Sequence, residues 1–70
     1  MLCAIAELKD SIYHVVTETE EFDLSVDVTN PSIEFPVAIK EIARRVGATK
    51  VQLGRKDGLP WFGYVMFLHL

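Results

Sequence analysis

Three side chains in this sequence carry the chemistry of soft nucleophiles and metal ligands: Cys3, His14 and His69. A thiolate beside an imidazole makes a nucleophile–base dyad, but only where the fold brings the two within hydrogen-bond reach. A structural zinc ion asks for four nitrogen or sulfur ligands, commonly in closely spaced local pairs. These three residues are scattered along the chain, so a small buried cysteine and two strand histidines are the expected reading. No GxSxG, HExxH, P-loop or GxGxxG pattern occurs. The expectation is a protein that is not an enzyme and holds no metal or other cofactor.

Carboxylates form the next group: Glu18, Glu20, Glu21, Asp23 and Asp27. Paired carboxylates do acid–base work, and clusters of them hold cations. On a strand, Asp23 and Asp27 stand about 13 Å apart, beyond the roughly 5–9.5 Å of paired glycosidase carboxylates. The stretch also lacks the alternating oxygen ligands and central glycine of a calcium loop. It reads as a solvated sheet face and turn, or as a surface for a basic protein partner.

Five of the seven bases, Arg44, Arg45, Lys50, Arg55 and Lys56, fall within one short stretch. Such a group suits phosphates, and contact with nucleic acid or an acidic partner is one expectation. No helix-turn-helix, zinc-finger, KH or RNP signature accompanies it. The blander reading is that Arg44 and Arg45 complement a helix C-terminus while Lys56 decorates a turn.

The aromatics Trp61, Phe62, Tyr64 and Phe67 are the strongest site candidates. Aromatics on a sheet stack unpaired bases or anchor protein interfaces, where they are enriched at hot spots. They lie in the tail Leu59 to Leu70, which is nearly without polar groups. As a strand it would set Trp61, Gly63, Val65, Phe67 and His69 on one face, and Phe62, Tyr64, Met66, Leu68 and Leu70 on the other. Both faces are apolar, and one helix covers only one side of a sheet. The surplus face implies a partner, but periodicity does not say which face is the surplus one.

The elements that position these residues are legible from pattern. Ala38, Ile39, Ile42, Ala43 and Val46 form one helical stripe, predicting a helix from Pro36 in its first turn to Val46. Gly47 is placed for a left-handed cap, and Glu41 with Arg45 for an i,i+4 ion pair. Phe22 to Thr29 alternates strictly and predicts a strand with one wet face. Leu2 to Leu8 and Ile12 to Thr17 predict two more strands about a Lys9-Asp10-Ser11 turn, although residues 2–9 also permit helix. Glu18 to Glu21 is the next turn. After the helix come a short strand, Lys50 to Leu53, a hairpin signal at Arg55-Lys-Asp-Gly58, and the tail strand with Pro60 at its start. The expected fold is α+β: a small antiparallel sheet of four to five strands, order β-β-β-α-β-β, with one amphipathic helix on one face.

Bulk properties bound the rest. Seventy residues make one domain, 1–70, near the lower limit for a core that stands alone. The hydrophobic half of the composition is that of a globular chain and not a disordered one. The tail is shorter than the about 20 apolar residues of a membrane-spanning helix, and the N-terminus lacks the basic region of a secretory leader. A soluble cytoplasmic protein is expected, and a lone cysteine fits a reducing compartment. Net charge is only −3, but the first 35 residues hold eight acids and one base, and the last 35 hold two acids and six bases. Such a dipole orients a partner or favours head-to-tail association, and in the blander reading it neutralises itself inside one fold.

These features together lead to the expectation of a small protein-binding regulator or inhibitor, acting through an apolar sheet face or edge strand and self-associating as a homodimer. Nucleic-acid association through the basic group is the second reading. The β-β-β-α-β opening is similar, in element order, to antitoxin domains of the HicB type. That similarity implies a third reading, an antitoxin-like or phage-inhibitor-like small protein.

Overall fold

The chain runs β1 (Leu2–Lys9), β2 (Ile12–Thr17), β3 (Glu21–Ser25), α1 (Pro31–Val46), β4 (Lys50–Gly54) and β5 (Val65–His69). In this computed structural model, which describes residues 1–54 and 64–70, the strands form one antiparallel sheet in the order β3-β2-β1-β5-β4. This is the expected α+β fold. Among the described residues no helix is long and apolar enough to cross a membrane. The predicted Arg55–Gly58 hairpin and the start of the tail strand lie outside the described residues.

A two-residue turn, Asp10-Ser11, joins β1 to β2 below the Lys9–Ile12 pair. Both residues have positive φ, 51° and 67°. That is the type I′ conformation whose twist matches the flanking strands. The turn also serves the crossover, since the Val26 amide donates to the Ser11 carbonyl at 2.8 Å.

Strands β3 and β4 are the two opposite edges of the sheet, so the segment between them has to cross a whole face. The 16 residues of α1 form the greater part of that crossing, about 24 Å of helix. The face it crosses is the core. Ala4, Ala6 and Leu8 of β1, Tyr13 and Val15 of β2, and Met66 and Leu68 of β5 are buried with Phe35, Ala38 and Ile42 of the helix. Alanines on the middle strand leave depth for the larger side chains around them. The Tyr13 and Phe35 rings meet edge-on with centroids 6.4 Å apart, a favoured aromatic geometry. Burial pushes the Tyr13 hydroxyl up to about 12.

Two boundaries and one ion pair differ from the sequence expectation. The helix begins at Pro31 and not at Pro36, because the Asn30 carbonyl already accepts the amides of Ile33 at 3.1 Å and Glu34 at 3.0 Å. Pro36 then sits inside the helix, where it has no N–H to offer the Ser32 carbonyl. Both residues are exposed, which leaves that group on the solvent side of the helix. Strand β3 stops at Ser25 and not at Thr29. Asp27 accepts the Thr29 amide at 2.9 Å and the Thr29 hydroxyl as well, an Asx turn that bends the chain toward the helix. Those bonds, the hydroxyl first, hold the Asp27 carboxyl below its usual range. Finally, Glu41 pairs with Arg44 one turn away and not with Arg45, because Arg45 is drawn to Phe22 and Glu20. The C-terminal end is as read: Gly47 has φ 76°, and its amide and that of Ala48 close on the Arg44 and Ala43 carbonyls.

Candidate functional site

Opposite the helix lies the second face of the sheet, and strand register builds it row by row. One row runs Glu21, Val16, Ile5, Phe67, Gln52 across all five strands. The next runs Asp23, His14, Glu7, Val65, Gly54. Leu2, His69 and Lys50 extend the face at one end, and Ser25, Ile12 and Lys9 at the other. Its centre is apolar and open: Val16 is 45% exposed, and Ile5 and Leu2 are each 42% exposed. Phe67 is half-buried beside them, and its ring lies over Gly54, 3.6 Å from where a Cβ would stand there.

This settles which half of the last strand is core. Met66 and Leu68 point at the helix, with Tyr64 half-buried against the same cluster. Val65, Phe67 and His69 belong to the outer face, sharing it with Ile12 and Val16. Of the four aromatic candidates, Phe67 therefore lies on the open face and Tyr64 packs toward the core. Trp61 and Phe62 lie outside the described residues.

A charged clamp occupies the β2–β3 side of the face. His14 Nδ1 is 2.6 Å from Asp23 Oδ1, and Nε2 is 2.5 Å from Glu21 Oε1. A neutral imidazole has one N–H, whereas two carboxylate acceptors want two, so the geometry favours the imidazolium. The Asp23 bond, then the Glu21 bond, raises the His14 pKa above its ordinary 6.5. Glu7 stands directly opposite His14 on β1. A shallow depression of about 490 Å³ opens there between Glu7, Lys9, Asp10, Ile12, His14 and Asp23. Among the described residues no group of three His, Cys, Asp or Glu side chains is placed to hold a metal ion. The imidazole itself stands between the two carboxylates.

The remaining soft groups have their own surroundings. The Cys3 thiol is half-buried and donates to the Leu68 carbonyl at 3.3 Å. His69 Nε2 is buried without a hydrogen-bond partner among the described residues. Arg44 is held by Glu41, and Arg45 lies 3.3 Å from Glu20 and over the Phe22 ring. Lys50 is across from His69 on the outermost strand β4. Arg55 and Lys56 lie outside the described residues, so the predicted basic group is represented by two helix arginines already engaged with carboxylates and one lysine at the sheet edge.

Sequence reasoning missed Ile5 and Leu2 as open positions, and it read His14 apart from the acidic group that holds Glu21 and Asp23. The signal for the clamp was present. Glu21 and Asp23 are two apart on a strand, hence on one face, and a hairpin with β2 puts a histidine between them. No known protein family matches this chain, and no curated protein or solved structure is significantly similar to it.

Proposed function

We propose that this domain is a non-enzymatic binding protein of the regulator or inhibitor kind, and that it works by covering the outer face of its sheet with another protein. The observation that carries this reading is the row Val16, Ile5, Phe67 at the centre of a five-stranded sheet whose one helix among the described residues lies on the other side. Monomeric proteins rarely leave a contiguous apolar patch at the middle of a sheet, and a charged rim around an apolar centre is the anatomy of a protein interface. Glu7, Glu21, Asp23, Lys9 and Lys50 supply the rim. The free thiol of Cys3 suits a reducing cytoplasm as the place of action.

A photo-crosslinking residue placed at position 5 or 16 in living cells tests the reading. A protein adduct of any identity is the expected result. Absence of adducts at both positions, with the same residue at position 40 on the helix as a control, overturns it.

A further inference from the structure

We infer that the occupant of the outer face is a second copy of the chain, packed face to face about a two-fold axis parallel to β1; this rests on the reading of that face as a protein-binding surface. Two-fold stacking of a sheet face on itself has two simple forms. An axis across the strands lays β3 on β3 and sets Glu21 and Asp23 against themselves. An axis along the strands exchanges the sheet edges instead. Because β1 is the middle of the five strands, that axis lays β2 on β5 and β3 on β4. The acidic edge of each copy then meets the edge that carries Lys50 of the other.

Register makes this specific. The central row places Ile5 against Ile5 on the axis, Val16 against Phe67, and Glu21 against Gln52. A small side chain thus meets a large one on each side of the axis. Lys50 is two residues from Gln52 on the same face, about 7 Å along the strand. Sheets stacked face to face lie about 10 Å apart; Glu21 holds His14 through Oε1, and an extended lysine approaches its other carboxylate oxygen across that gap. The arrangement carries two unfavourable approaches on the axis, Glu7 near Glu7 and Lys9 near Lys9 of the second copy; each Glu7 lies only two residues along from the other copy's Lys9, and the neighbouring His14 imidazolium offsets the glutamate pair further. A foreign apolar surface would cover Ile5 equally well, but it has no inherent reason to match an acidic edge at β3 with a basic one at β4. A second copy does.

Charge reversal reads out this geometry. Glu21→Lys sets two like-charged contacts in its own homodimer, and so does Lys50→Glu. In an equimolar mixture of the two variants, both contacts are again between opposite charges. By light scattering and sedimentation the native chain is expected at twice its 7.9 kDa mass. Each variant alone is expected to dissociate at least tenfold more readily, and the mixture to return to within threefold of the native chain. A second readout leaves the charges alone: in a Cys3→Ser background, Ile5→Cys is joined to its counterpart by a short bismaleimide, whereas Lys40→Cys is not. A monomeric native chain overturns the inference, as does a mixture no tighter than its components or a position 5 that fails to link. A monomer that still yields a foreign adduct at position 5 in cells overturns the second copy and leaves the binding face standing. Absence of any adduct removes the face itself.

Discussion

Arg45 holds its guanidinium carbon 3.8 Å from the centre of the Phe22 ring while pairing with Glu20 at 3.3 Å. The last turn of the helix is thereby fastened to the first residues of β3, on the side of the sheet where the crossover begins. Exposed contacts of a cation with an aromatic face contribute about 0.5–1 kcal/mol, and an exposed ion pair adds little. Arg45→Ala is therefore expected to lower unfolding free energy by about 1 kcal/mol in urea titrations. Arg45→Lys recovers less than half of that loss, because an ammonium lacks the flat surface that stacks.

The His14 clamp makes stability depend on pH with a definite sign. Its folded-state pKa lies above the ordinary 6.5. The clamp therefore contributes fully below the unfolded value, while Asp23 and Glu21 remain ionised, and is lost as pH rises through the raised folded value. Between pH 6 and pH 9 the Tm of the native chain should fall relative to that of His14→Gln, and the difference should close at the alkaline end. A parallel pair of curves would show that the clamp does not hold in solution. Proton titration of the His14 ring by NMR should give a midpoint above 6.5.

The Asp10-Ser11 turn places two non-glycine residues at positive φ. A left-handed backbone costs roughly 1–2 kcal/mol for an ordinary L-residue, and aspartate bears it better than serine. Ser11→Gly is expected to raise stability by about 1 kcal/mol, and it keeps the carbonyl that receives Val26. Asp10→Asn should be nearly neutral, since asparagine is equally at home there.

Truncations on the two faces of the sheet separate core from open surface. Leu68→Ala removes a fully buried side chain and should cost about 2–5 kcal/mol. Ile5→Ala, at a position 42% exposed, should cost about 1 kcal/mol in a dilute monomer. A larger loss from Ile5→Ala than from Leu68→Ala would mean that the faces are assigned the wrong way round. Urea unfolding at low protein concentration measures both without a contribution from association.

Much of the fold was legible because turn chemistry and periodicity agreed. Gly47 ended the helix where its stripe ended, and the β1–β2 hairpin followed from two mostly apolar runs about a short turn. The helix start was hidden by two prolines of equal standing. Pro36 looked like a first-turn residue, while the Asn30-Pro31 pair and the continuation of the stripe back to Phe35 pointed further upstream. The outer face was hidden for a different reason. On β1 the buried set is Ala4, Ala6 and Leu8, and the open set includes Ile5. Hydrophobicity alone would put the isoleucine inside, but space under a crossing helix favours alanine. Only the pairing of β1 with β5, which no local pattern reveals, decides that Phe67 joins Ile5 and not the core.

That same pairing sets the order of events while the chain is being made. β1 can pair with β2, and β2 with β3, as soon as about the first third of the sequence has left the ribosome, because those contacts are local and close quickly. Its other side waits for β5, whose residues pair with it from Leu2–His69 to Glu7–Val65. Throughout that interval the nascent protein carries an open strand edge at what will become the centre of its sheet. A stalled or shortened chain lacking residues 65–69 is frozen in this state, and an unpaired central edge is a template for the wrong neighbour. Quality control of this small protein thus rests on its last strand.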